Sequence, residues 1–122
     1  MRAATGALLD VGCVAAFVVI GRASHAEGET VAGLARTAWP FLTGLAAGWL
    51  ATRAWRRPDG IGSAGIGVWL ATVATAMVLR VVSGQGIAVA FVFVALAFLG
   101  LFMLGWRAAA RWRPGARPQR TS

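Results

Sequence analysis

Apolar residues fall in four long blocks along this chain, and polar residues gather between them. The blocks cover residues 3–20, 37–52, 66–82 and 87–106. Within each block the apolar positions neither alternate nor recur as a one-sided helical stripe. That pattern is expected where lipid, as well as a protein core, receives the side chains. A helix crossing a bilayer needs about 20 mostly apolar residues, with a range of roughly 17–25. The second block is the shortest and is expected to extend somewhat at both ends.

The intervening segments differ in kind. GRASHAEGETVAGLAR, between the first two blocks, is the one substantial polar loop. RAWRRPDGIGSAG, between the second and third, holds Pro58, Asp59 and Gly60, whose fixed and permissive torsions predict a turn. The last two blocks are joined only through SGQG, which makes their helices antiparallel neighbours. The expected architecture is therefore all-α: a polytopic membrane protein of four transmembrane helices in an antiparallel bundle. Residues 1–107 form the single membrane domain, and 108–122 a basic, flexible tail with a brief amphipathic extension through Trp112.

Composition agrees. Of 122 residues 58% are hydrophobic and only 13% charged, whereas a soluble domain carries about a quarter charged residues. The formal charge of +8 comes from twelve basic residues, all arginine, set at the ends of the apolar blocks. A nucleic-acid binder would instead gather them into a patch on a soluble fold, so nucleic acid is excluded as the expected partner. With an even number of spans, Arg2, Arg53, Arg56, Arg57, Arg107, Arg111, Arg113, Arg117 and Arg120 share one side, against Arg22, Arg36 and Arg80 on the other. The positive-inside rule places the nine, and both termini, in the cytoplasm. Lipids, including anionic headgroups at that face, are the expected partners.

A competing reading takes Ser24, His25 and Ala26 as a signal-peptidase site, leaving three spans. Asp10 within the run, a basic leader of Arg2 alone and the length of the run favour a retained first helix.

Small residues at fourfold spacing, Gly44, Gly48 and Thr52, form a seam on the second helix, and Gly12 and Ala16 offer a similar face on the first. Either suits close helix approach, within the chain or in a homo-oligomer. Trp39, Trp55, Trp106 and Trp112 fall near span ends, where indoles anchor at headgroups. Pro40 suits the first turn of the second helix. Trp69 and Phe91, Phe93, Phe98 and Phe102 are expected to face lipid or neighbouring helices, and Cys13 to be a small packing residue.

Five polar residues are the functional candidates: Asp10, Arg22, His25, Arg80 and Gln85. A carboxylate inside a span must find a donor, and Arg53, Arg56 or Arg107 is in reach on the cytoplasmic side. Arg80, near the outer end of the third span, either snorkels to headgroups or turns to the loop carrying Arg22, His25, Glu27 and Glu29. The spacing HAEGE fits no defensible metal site, and no hydrolytic triad, phosphate-cradling loop or haem motif is present; neither enzyme activity nor a cofactor is expected.

LLDVGCVAAFVVIGRASH, TAWPFLTGLAAGW and VLRVVSGQGIAVAFVFVALAFLGLFMLGWR together resemble a bacterial membrane family, common in actinobacteria, known as domain of unknown function 3054. The resemblance spans residues 8–107 and rests on Asp10, Gly21, Arg22, His25, Trp39, Pro40, Phe41, Arg80, Gln85, Gly86, Gly105, Trp106 and Arg107. It implies an integral protein of the bacterial plasma membrane that keeps its first helix, with no assigned activity. The expected role is that of a small accessory or interaction protein. The alternative is a transporter or channel subunit moving a proton, ion or small solute as an oligomer.

Overall fold

The computed structural model describes residues 2–24, 31–85 and 89–112, with the side chains of residues 22–24 excepted. Four helices make up almost all of it: α1 (Ala3–Ser24), α2 (Val31–Thr52), α3 (Gly67–Val82) and α4 (Val89–Trp112). A 3₁₀ turn, Ala54–Arg56, and a π-helical stretch, Ile61–Ile66, connect α2 to α3. At 1.5 Å per residue the 22 residues of α1 and of α2 each reach about 33 Å, the thickness of a bilayer core.

Three segments, Ala3–Gly21, Ile61–Val82 and Val89–Trp112, are long and apolar enough to cross a membrane. The chain is thus a multi-pass, all-α membrane protein. α2 is as long as α1, but Arg36, Thr37, Pro40, Thr43 and its glycines dilute its apolar content. It begins at Val31, six residues before the expected start of the second block, so Pro40 lies inside the helix and not in its first turn. The expected extension is found at the N-terminal end, where Arg36 lowers the hydropathy without ending the helix. α4 likewise continues through residues 108–112; residues 113–122 of the expected tail lie outside the described residues.

α2 and α3 form the most intimate pair, and small residues are the reason. A Cβ on Gly44 would lie 2.6 Å from the Thr72 carbonyl oxygen, one on Gly48 3.1 Å from the Val68 Cα, and one on Gly67 2.6 Å from the Thr52 methyl. The pairings 44 with 72 and 48 with 68 run in opposite senses, which makes the helices antiparallel. The seam of α2 therefore serves an internal contact. Gly12 of α1, by contrast, has nothing within 4 Å of its Cβ position, and Ala16 is exposed beside it.

α1 and α3 each pack against α2 and α4, closing the four helices into a ring. Within it, Val14, Phe17, Phe41, Leu45, Val68, Ala95, Leu99 and Met103 form a buried core. Phe17 is its hub, with ring centroids 5.1 Å from Phe41, 5.5 Å from Phe98 and 5.9 Å from Phe91. Phe91 and Phe98 thus turn inward, whereas Phe93 and Phe102 turn outward with Leu8, Leu50, Val78 and Leu101. Every helix presents such an apolar outer face, as a lipid-facing bundle requires.

Candidate functional site

The inward stripe of α4 repeats every fourth residue as Ala95, Leu99, Met103 and Arg107. Its last member is an arginine where the pattern calls for an apolar side chain. On α1 the inward positions Val14 and Phe17 are preceded, one turn earlier, by Asp10. On α2, Phe41 and Leu45 are followed four residues on by Trp49. Helix periodicity therefore aims these three polar side chains at the same end of the core.

They meet there. Asp10 and Arg107 form a bidentate ion pair, Arg107 Nη1 to Asp10 Oδ1 at 2.9 Å and Nη2 to Oδ2 at 2.7 Å, the geometry in which carboxylate and guanidinium bind most strongly. Each oxygen also accepts an indole N–H: Trp106 Nε1 donates to Oδ1 and Trp49 Nε1 to Oδ2, both at 2.8 Å. Four donors from two helices thus saturate one carboxylate on a third. Arg107 is similarly engaged, with Nε donating to the Pro58 carbonyl at 2.8 Å and Nη1 to that of Met103 at 3.1 Å. Its guanidinium carbon sits 4.4 Å from the centre of the Trp106 ring. Both charged side chains are 0% exposed, and no buried side-chain nitrogen or oxygen among the described residues lacks a partner.

Two glycines leave room for this cluster. A Cβ on Gly6 would sit 2.6 Å from Pro58 Cβ and 3.4–3.5 Å from the Trp49 and Trp106 rings. One on Gly65 would sit 3.0 Å from the Cδ of Arg107 and 2.9 Å from Leu104. Gly65 N–H bonds to the Gly60 carbonyl at 2.7 Å, five residues back, and this wide π-turn brings the start of α3 against the arginine.

Two expectations are corrected here. Arg107, grouped with the solvent-side arginines, is fully buried, because fourfold spacing from Met103 carries it inward. Trp106, whose place near a span end predicts a headgroup anchor, commits its N–H to Asp10. Of Arg53, Arg56 and Arg107, it is Arg107 that pairs with Asp10, and Trp49 is a further partner that its apolar neighbours in the sequence do not announce.

A second polar cluster lies at the opposite end. Arg80 Nη1 donates to Gln85 Oε1 at 3.2 Å, and its guanidinium carbon lies 4.4 Å from the centre of the Phe91 ring. Gln85 Nε2 in turn donates to the Arg36 carbonyl at 3.1 Å. That carbonyl would ordinarily accept from the N–H of residue 40, but residue 40 is proline and has none. Gln85 supplies the bond that Pro40 removes, which is how a fully buried proline is held inside a helix of this bundle. Arg80 and Asp10 are thus separate, with Val14, Phe17, Phe41, Leu45 and Leu99, each at most 5% exposed, packed between the two ends.

The side chain of Arg22, and His25, Glu27 and Glu29, lie outside the described residues. Among the described residues no three His, Cys, Asp or Glu side chains gather to hold a metal. Trp69 points into the bundle, its indole N–H donating to the Leu96 carbonyl at 3.0 Å across the space left by Gly100.

A family model described as "Protein of unknown function (DUF3054)" matches residues 7–110, so the chain belongs to that family. Neither the curated proteins nor the solved structures contain a significant match.

Proposed function

We propose that this DUF3054 member is an accessory or interaction protein of the plasma membrane without catalytic activity, in which Asp10 is an interhelical clasp and not a conducting group. One observation carries the reading. The Asp10 carboxylate is unexposed and already accepts four hydrogen bonds, including both arms of Arg107. A proton or ion carrier needs an open coordination position and access to water, and this carboxylate has neither. The apolar packing between Asp10 and Arg80 supports the same view.

All four helices cross the membrane in this reading. α2 packs antiparallel against the spanning candidate that contains α3, from Gly44 beside Thr72 to Thr52 beside Gly67, which supports α2 crossing with it. Both termini face the cytoplasm, because Arg53, Arg56, Arg57 and Arg111 lie exposed at the Asp10 end of the bundle. Loss of the first segment would remove Asp10 and leave Arg107 charged and buried without its counter-ion, which supports a retained α1. Among the described residues, the open Gly12/Ala16 side of α1 is a face that suits a membrane-protein partner or a second copy.

Two experiments test the role. In proteoliposomes, proton and cation flux through wild type and Asp10→Asn should both equal that of protein-free vesicles; a wild-type flux abolished by the substitution would establish the conducting alternative. Crosslinking from the outer loop in native membranes should recover one recurrent partner, and recovery of random neighbours alone would defeat the interaction role.

A further inference from the structure

The α2–α3 connection carries three arginines and one tryptophan within five residues, Arg53, Trp55, Arg56 and Arg57, against a single carboxylate, Asp59. Two pegs hold it to the bundle: Ala54, 1% exposed, and Pro58, whose side chain is buried beside Gly6. Between and before these pegs, Arg53, Trp55, Arg56 and Arg57 all project outward. The backbone is fixed by its own turns, with Arg56 N–H bonding to the Arg53 carbonyl at 3.0 Å, Arg57 N–H to Ala54 at 3.2 Å and Gly60 N–H to Arg57 at 3.0 Å. Arg53 takes a left-handed conformation, φ 53°, to enter the first of these turns. The Pro58 carbonyl is held by Arg107 Nε, so the buried clasp sets the height of the crest.

We propose that residues 53–57 form a preformed site for the phosphate of anionic phospholipids, with Arg56 and Arg57 as its donors and Trp55 inserted beside the acyl chains. Guanidinium groups match phosphate oxygens in pairs, and an indole at this depth spans the apolar and polar layers. Leu50 and Ile66, exposed on the helices just below, put the crest at the edge of the hydrocarbon and so select a bilayer lipid as its occupant. The loop backbone is already ordered, so only the side chains lose freedom on binding, which distinguishes a site from diffuse attraction between a basic surface and a charged membrane. The physiological setting, an inner leaflet, rests on the proposed cytoplasmic orientation.

The test uses the full chain in phosphatidylcholine vesicles with spin-labelled phosphatidylglycerol or phosphatidylcholine, reading the relative association of the two probes. Wild type should prefer phosphatidylglycerol. The variant R56Q/R57Q should lower that preference roughly tenfold, on the scale of surface arginines acting on anionic lipid. The charge-matched variant R117Q/R120Q should lower it far less. Equal loss in both variants, or no preference in wild type, would overturn the site. Unchanged helix content by circular dichroism excludes misfolding, since both replaced side chains are exposed. Orientation is read separately, by impermeant thiol labelling of Ser63→Cys in intact cells in a Cys13→Ala background. Labelling from outside would overturn the orientation while leaving the lipid preference standing.

Discussion

Replacing Asp10 by asparagine keeps the size of the side chain and removes its charge. One carboxylate oxygen becomes an amide nitrogen, a donor facing two donors: an Arg107 Nη group and an indole N–H. At least two of the four hydrogen bonds are lost, and the guanidinium stays in a site where it is 0% exposed. Removing one member of a buried pair costs about 3–5 kcal/mol. Interhelical hydrogen bonds alone would cost less, averaging about 0.6 kcal/mol each in a membrane protein. The two origins are separable. If the uncompensated charge dominates, Arg107→Met should be comparably harmful, and the double variant should be more stable than the sum of the singles by at least about 2 kcal/mol. Thermal unfolding in detergent, followed by far-ultraviolet circular dichroism, measures all three. Additive losses, or an Asp10→Asn variant as stable as wild type, would refute the reasoning.

Four further substitutions have outcomes set by the same geometry. Gly44→Ala should destabilise the fold by about 2 kcal/mol or more, since its methyl would meet the Thr72 backbone and α2 and α3 would have to part. Gly12→Ala, with nothing within 4 Å, should be neutral or stabilising by up to about 1 kcal/mol on the same unfolding assay. Gln85→Ala should cost about 1 kcal/mol in wild type but less in a Pro40→Ala background, where a restored N–H can serve the Arg36 carbonyl; equal costs in both backgrounds would reject the proline-gap assignment. Trp49→Phe should cost about 1 kcal/mol and lower the Asp10→Asn penalty, because one of the mismatched donors is then absent.

The helices were legible from the apolar blocks, and the seam of α2 from the spacing of Gly44, Gly48 and Thr52. The start of α2 was obscured because Arg36 and Thr37 are polar yet helical, and hydropathy alone marks the change of solvent, not the end of a helix. The need for a donor at Asp10 was also legible, since lipid leaves a buried carboxylate no other option. Its partners were harder to find. Arg107 stands among other arginines at a span end, where charge suggests the surface; only its fourfold spacing from Leu99 and Met103 points inward. Trp49 and Trp106 look like ordinary apolar or interfacial residues until their N–H groups have an acceptor. Gln85 lies 45 residues beyond Pro40, and no local pattern joins them; only the fold brings its turn back over the Arg36 carbonyl.

Exchange of the indole protons tests the dry clasp most directly. In ¹⁵N-tryptophan-labelled protein in lipid nanodiscs, the Trp49 and Trp106 N–H groups, bonded to an unexposed carboxylate, should persist in heavy water long after those of the exposed Trp55 and Trp112 have gone. Exchange at Trp49 and Trp106 as fast as at Trp55 and Trp112 would mean that water reaches Asp10, and would contradict its role as a sealed structural clasp.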